Sequence, residues 1–106
     1  MSDFVRIASI HDIPAEGVRA FEINGRQVAV CLIGGTYYAI DNICSHEYAE
    51  LSEGYLDADD CTIECPLHGS RFDLRSGRPL ALPAFQPVSV FDVRVDGEDV
   101  LVRLES

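Results

Sequence analysis

Apolar residues dominate two runs, Val18 to Ile23 and Arg26 to Ile33, and only Asn24-Gly25 separates them. Asn-Gly supplies the two positive φ angles of a type I′ turn, so the pair predicts a β-hairpin. Gly34-Gly35 then turns the chain into Thr36-Tyr37-Tyr38-Ala39-Ile40, a β-branched and aromatic run that suits a strand. A second strand pair is predicted near the end. Val88 to Val95 leads through Asp96-Gly97 into Val100 to Leu104. Valines at 88, 90, 93 and 95 alternate but slip once around Phe91-Asp92, where a bulge or a doubly covered strand is expected. Helix signals are weak. Ser9 to Gly17 has room for one turn, limited by Pro14.

The middle of the chain is different. From Asp41 to about Pro87 the predicted strands are short and turn residues frequent. Asp57-Ala58-Asp59-Asp60 and Ser76-Gly77 read as turns, and Pro79, Pro83 and Pro87 fall close together. The pattern describes an all-β domain with a long insertion of loops. An insertion of that length needs something to tie it down.

Composition narrows the classes. The chain has 106 residues, enough for one domain with a modest core. With 47% hydrophobic and 25% charged residues it is globular rather than disordered. No apolar run approaches the roughly 20 residues that span a bilayer. The start, Met1 to Arg6, shows no basic then apolar leader, so the expected location is the cytoplasm. Eighteen acidic residues against eight basic ones give a formal charge of −10, the wrong sign for a nucleic-acid binder. An acidic surface suits steering toward a basic protein partner, although solubility alone also accounts for it. In a reducing compartment the four cysteines, Cys31, Cys44, Cys61 and Cys65, point to metal rather than disulfides.

Two short segments concentrate that chemistry: Cys44-Ser45-His46 and, 18 residues on, Cys65-Pro66-Leu67-His68. Each brings one thiolate and one imidazole. A structural zinc finger groups its cysteines on one element and its histidines on another, so the mixed pairs disfavour zinc. A binuclear iron site explains the mixing, because a Rieske centre has two Cys on one iron and two His on the other. Cys44 and Cys65 are expected on the inner iron, His46 and His68 on the outer one.

Cys44-x-His46 and Cys65-Pro66-x-His68-Gly69-Ser70-x-Phe72-Asp73 resemble the two halves of the Rieske iron–sulfur motif. Over nearly its whole length the chain resembles the small Rieske-type ferredoxins of bacterial aromatic-ring-hydroxylating dioxygenases. The resemblance implies an all-β, antiparallel, sandwich-like base (about 1–40 and 86–106) with a smaller cluster-binding subdomain (about 41–85). It implies one [2Fe–2S] cluster and a proline-containing shielding loop at Leu82-Pro83-Ala84-Phe85. It also implies the partners: an NAD(P)H-dependent flavin reductase that donates electrons, and a terminal oxygenase that receives them near the histidine side. No membrane or nucleic-acid partner, no turnover by the chain alone, and a monomer are expected. High-potential respiratory Rieske proteins carry two further cysteines and a tyrosine where this chain has Ala49, Leu67 and Phe72. Their inter-loop disulfide cannot form here, and fewer hydrogen bonds to cluster sulfur imply a low potential.

Other residues have plainer readings. His11 is expected in an exposed loop, and Cys31 and Cys61 as small buried hydrophobes. Gly69 suits tight backbone beside a cluster, and Tyr48 and Leu67 suit an apolar patch at the motif tips. Glu47 and Glu50 are the acidic candidates for steering a partner. Two rival functions are a nitrite reductase small subunit and a zinc-stapled interaction module.

Overall fold

A computed structural model describes residues 4–44, 49–67, 69–81 and 86–104. Ten antiparallel strands form two sheets: β1 Phe4–Ser9, β2 Gly17–Ile23, β3 Arg26–Ile33, β4 Thr36–Asp41, β5 Tyr55–Asp57, β6 Thr62–Glu64, β7 Arg71–Asp73, β8 Pro79–Ala81, β9 Val90–Asp96 and β10 Asp99–Arg103. The larger sheet runs β1-β10-β9-β4-β3-β2, and its two edge strands approach each other, so it curls. The smaller runs β5-β6-β7-β8. This is the all-β, two-sheet architecture expected.

The hairpins follow from the turn chemistry. Asn24 and Gly25 have φ of 54° and 78°, and β2 pairs with β3 from Gly17↔Leu32 to Ile23↔Arg26. Gly34 and Gly35, also at positive φ, return the chain so that β4 pairs with β3. Ser9 caps a single 3₁₀ turn, Ile10–Asp12, by accepting from the His11 N–H, and Asp12 reaches back to the Ser9 N–H. Ile13 is then extended before Pro14, which ends the turn. His11 is exposed there and faces Glu98 at 3.5 Å.

The expected irregularity near Phe91 is not a bulge. β9 pairs with β10 in unbroken register from Asp96↔Asp99 to Asp92↔Arg103. Phe91 and Val93 face inward, whereas Val90 is 40% exposed and Val88 lies buried ahead of the strand. The valine slip is therefore the boundary between a buried loop residue and a strand of opposite phase. Register shifts occur instead in β1, between Arg6 and Ala8, and in β7, between Arg71 and Phe72.

Two cores result. One fills the curled sheet with Val28, Val30, Ala39, Val100 and Val102. The other joins the sheets, packing Ala29, Cys31 and Ile40 against Leu51, Ile63, Phe72 and Leu74. β3 serves both, because alternate residues point to opposite faces. That explains its almost unbroken apolar run.

Cys31 lies wholly inside the second core. Burial, and then the neighbouring Cys61, push its thiol from 9.0 to about 12. The raised value means the native state holds this proton after the unfolded chain has released it. Stability is therefore expected to fall as pH rises from about 9 toward 12, by about 1.4 kcal/mol per pH unit from this group. Denaturant melts of the protein and of Cys31→Val across that window check it: the difference between the two curves should carry the slope.

Candidate metal centre

The ends of the two motif segments (the first and second loops), at 44 and 49 and at 65 and 70, are closed in the same way. In the first, Ile43 bridges Glu50, and the Cys44 N–H donates to the Ala49 carbonyl at 2.9 Å. In the second, Glu64 pairs with Arg71, and the Cys65 N–H donates to the Ser70 carbonyl at 2.7 Å. Each loop thus opens on a cysteine whose N–H is held by the carbonyl five residues on. The Gly69 N–H adds a bond to the Cys65 carbonyl at 3.3 Å, with Gly69 at φ 76° as a tight turn requires.

Cys44 and Cys65 are 4% and 1% exposed and belong to the core that joins the sheets. No disulfide joins any of the four cysteines. The chemistry of this half of the donor set fits an iron–sulfur group: two buried thiols at equivalent positions of two loops, backed by apolar residues. His46 and His68 lie outside the described residues, as do Glu47, Tyr48 and the shielding segment Leu82-Pro83-Ala84-Phe85. Among the described residues no other group of His, Cys, Asp and Glu could hold a metal ion.

The loop surroundings differ in polarity. Leu67, at the tip of the second loop, is 56% exposed, while Ala49, Ser70 and Phe72 are buried. Gly77 holds the segment after the third loop, the expected shielding stretch 82–85. Its carbonyl accepts from the Val88 N–H at 3.0 Å, and a Cβ on Gly77 would come within 2.1 Å of the Val88 oxygen. Asp41 reinforces this junction, accepting from the Ser89 N–H through its carboxylate while its own N–H donates to the Ser89 carbonyl.

Cys61 takes no place in either loop. It sits in the turn after β5 at φ 57°, with its thiol facing the Tyr38 hydroxyl and the Arg75 guanidinium close by. The Cys61 contact, ahead of burial, raises the Tyr38 hydroxyl above its ordinary pKa. This chain of contacts ties β4 in the large sheet to two turns of the small one, so Cys61 is a structural fastening. Between Arg26 and Arg71 the sequence holds no Lys or Arg and eight acidic residues, and both loops fall in that stretch.

Residues that pattern-reading passed over also shape the site. Asn42 is wholly buried just before the first loop. Gly54 lies where a Cβ would meet the Glu64 carbonyl oxygen at 1.9 Å. The signal for Asn42 was available, as a polar residue beside Asp41 between the apolar Ile40 and Ile43. That for Gly54 was not, since it depends on a strand from elsewhere.

The family model for the Rieske [2Fe-2S] domain matches residues 3–92. The chain belongs to that family. Its Rieske relatives include the 3-phenylpropionate/cinnamic acid dioxygenase ferredoxin subunit of Shigella flexneri serotype 5b (strain 8401), 48% identical over 77 residues, 73% of this chain and 72% of that one. Among solved Rieske structures, the ferredoxin of carbazole 1,9a-dioxygenase from Nocardioides aromaticivorans IC177 is 43% identical, with a TM-score of 0.93, covering 98% of this chain and 100% of that one. A ferredoxin solved in complex with the reduced oxygenase of carbazole 1,9a-dioxygenase is 34% identical, with a TM-score of 0.86, covering 97% and 94%. The Rieske cofactor of the family is the [2Fe–2S] cluster. No helix among the described residues is long and apolar enough to cross a membrane.

Proposed function

We propose that Cys44, His46, Cys65 and His68 hold one Rieske [2Fe–2S] cluster, with the cysteines on the inner iron and the histidines on the outer. In this reading the chain is a one-electron carrier from an NAD(P)H-dependent flavin reductase to the terminal oxygenase of an aromatic-ring dioxygenase system, and it has no turnover alone. The observation that carries the reading is the pair of equivalent loops, each opened by a buried cysteine and each bearing a histidine of the motif. Relatives named as dioxygenase ferredoxin subunits, one of them solved with its oxygenase, support the oxygenase as a partner. We further read 41–85 as the cluster-binding unit on a base of 1–40 and 86–106, working as a monomer in the cytoplasm.

The chain's own residues have separable tasks. Cys44 and Cys65 supply thiolates from the core side, where apolar neighbours exclude water. His46 and His68 supply imidazoles, and Leu67 gives a partner an apolar surface beside them. When bound, the cluster supplies one-electron reduction and reoxidation. The acidic stretch around the loops opposes added negative charge, and Phe72 offers no hydroxyl to a ligand sulfur. Both effects lower the potential, which is expected near the low end of the Rieske range, about −150 mV. A redox titration measures it, and a value above zero contradicts this account.

Electrostatics at the docking face make a kinetic prediction. Glu50 is exposed at the foot of the first loop. Glu47→Lys, in the same loop, is expected to slow reduction by the reductase several-fold at low salt and little at high salt, because surface charge is screened over about 10 Å at 0.1 M; Glu50, whose carboxylate also accepts from Asn42, is left in place. Stopped-flow rates at two ionic strengths check this.

The function itself is tested on purified protein. A brown-red protein with two irons per chain, giving a rhombic EPR spectrum after dithionite, is expected. Reconstitution with reductase and oxygenase should then support NAD(P)H-dependent ring hydroxylation. A colourless, EPR-silent protein with stoichiometric zinc would refute the reading.

A further inference from the structure

The two loops share a closure but not a foundation. The second grows out of β6 and β7, which pair over three residues and are flanked by β5 and β8. The first has only the isolated bridge between Ile43 and Glu50. Something else must fix its feet.

Asn42 stands there with no exposed surface. Its amide Nδ2 donates to Gln27 Oε1 and to Glu50 Oε1, each at 3.2 Å, and its Oδ1 accepts from the Ser52 N–H at 2.9 Å. Its main chain is also committed. The Asn42 N–H donates to the Gln27 carbonyl at 3.1 Å, and its carbonyl accepts from the Leu51 N–H at 2.6 Å. One side chain therefore grips Gln27 of β3 behind the loop and Glu50 and Ser52 after the loop's exit. The two oxygens facing Nδ2 and the N–H facing Oδ1 fix which end of the amide points where. A buried polar group is costly unless every partner is present, and here each is.

We infer that Asn42 is the positioning residue of the first loop, replacing a strand ladder and setting where Cys44 stands relative to Cys65. This rests on the ligand assignment proposed above. It makes Asn42 a determinant of cluster retention and of the spectroscopic signature, although it touches no iron. An aspartate at 42 keeps the acceptor for Ser52. It also turns a carboxylate oxygen toward the Glu50 oxygen that accepted from the amide, acceptor against acceptor. Gln27 can rotate its amide and donate instead. The unresolved conflict is therefore with Glu50 alone, and a glutamine at 50 removes it.

The experiment compares wild type, Asn42→Asp, Glu50→Gln and the double variant, each as the cluster-bearing protein. The readouts are the rate of iron loss to a chelator and the EPR spectrum. Asn42→Asp is expected to lose iron about tenfold faster or more, with shifted EPR features. Glu50→Gln should behave as wild type, since its amide oxygen still accepts from Asn42. The double variant should regain most of the lifetime and the wild-type spectrum. Val30→Ala, in the core away from the loops, should lower the melting temperature without moving either readout. Wild-type iron loss and spectrum in Asn42→Asp, or a double variant no better than the single one, overturns the inference. If Asn42→Asp does not accumulate, recovery of folded, iron-bearing protein in the double variant supports it and failure there overturns it. Amide exchange at Cys44 and Ser52 in cluster-free protein gives a separate reading. It should quicken in Asn42→Asp even if the wild type proves to carry no Rieske cluster, so the two proposals fail independently.

Discussion

Cys65→Ala is expected to give a colourless protein that melts about 20 °C below the cluster-bearing form. Cys65 is 1% exposed, opens the second loop and lies in the core that joins the sheets. A group bound only by the native state, present at 1,000 times its dissociation constant, stabilises that state by about 4 kcal/mol. For a domain this small, each kcal/mol is worth about 4–8 °C. The lost thiol adds a small cavity, which the 0%-exposed Phe72 and Ile63 beside it cannot fill without moving. Iron analysis and a thermal melt decide the matter. A variant that keeps two irons per chain would show that the ligand set has been misassigned. His46→Ala is expected to lose the cluster in the same way.

Gly54→Ala should cost about 2–4 kcal/mol and disturb the cluster signal, although it adds one methyl group far from any ligand in sequence. Gly54 has φ −91°, which any residue tolerates, so the penalty is not conformational. It is steric. The new Cβ would lie 1.9 Å from the Glu64 carbonyl oxygen, 3.0 Å from its carbon and 3.2 Å from Pro66 Cδ. Two of these are backbone and the third is a rigid ring. Relief requires β6 to shift immediately before Cys65. A fall in the denaturation midpoint together with an altered EPR line shape is expected. An unchanged midpoint would mean that β5 and β6 can part at no cost.

What could be read directly from the chain was whatever local chemistry decides. Asn24-Gly25 fixed a hairpin because few dipeptides accept two positive φ angles. The paired Cys and His segments stood out as candidates because ligands of one cluster must lie within a bond length of it, however far apart their loops begin. The four strands between Tyr55 and Ala81 were not legible individually. Each is three residues long, too short to show a period, and exists because its neighbours pair with it. The valines before β9 misled for a related reason. Val88 is buried by tertiary packing at the third loop, not by strand phase, so it imitated an alternation that begins only at Val90. Asn42 and Gly54 belong to the same class, since their importance lies in what other segments bring against them.

The closing bonds of the two loops, Cys44 to Ala49 and Cys65 to Ser70, are each internal to six residues. Neither closure uses the turn at 58–60, where Asp57 bonds the N–H groups of Asp59 and Asp60 on an exposed surface. Residues inserted there would lengthen the span between the loops without stretching either one. Evolution can therefore rewrite this shoulder of the molecule, in length and in character, while the two cysteine-opened loops keep their closing bonds. New partners can be accommodated there without rebuilding the redox centre.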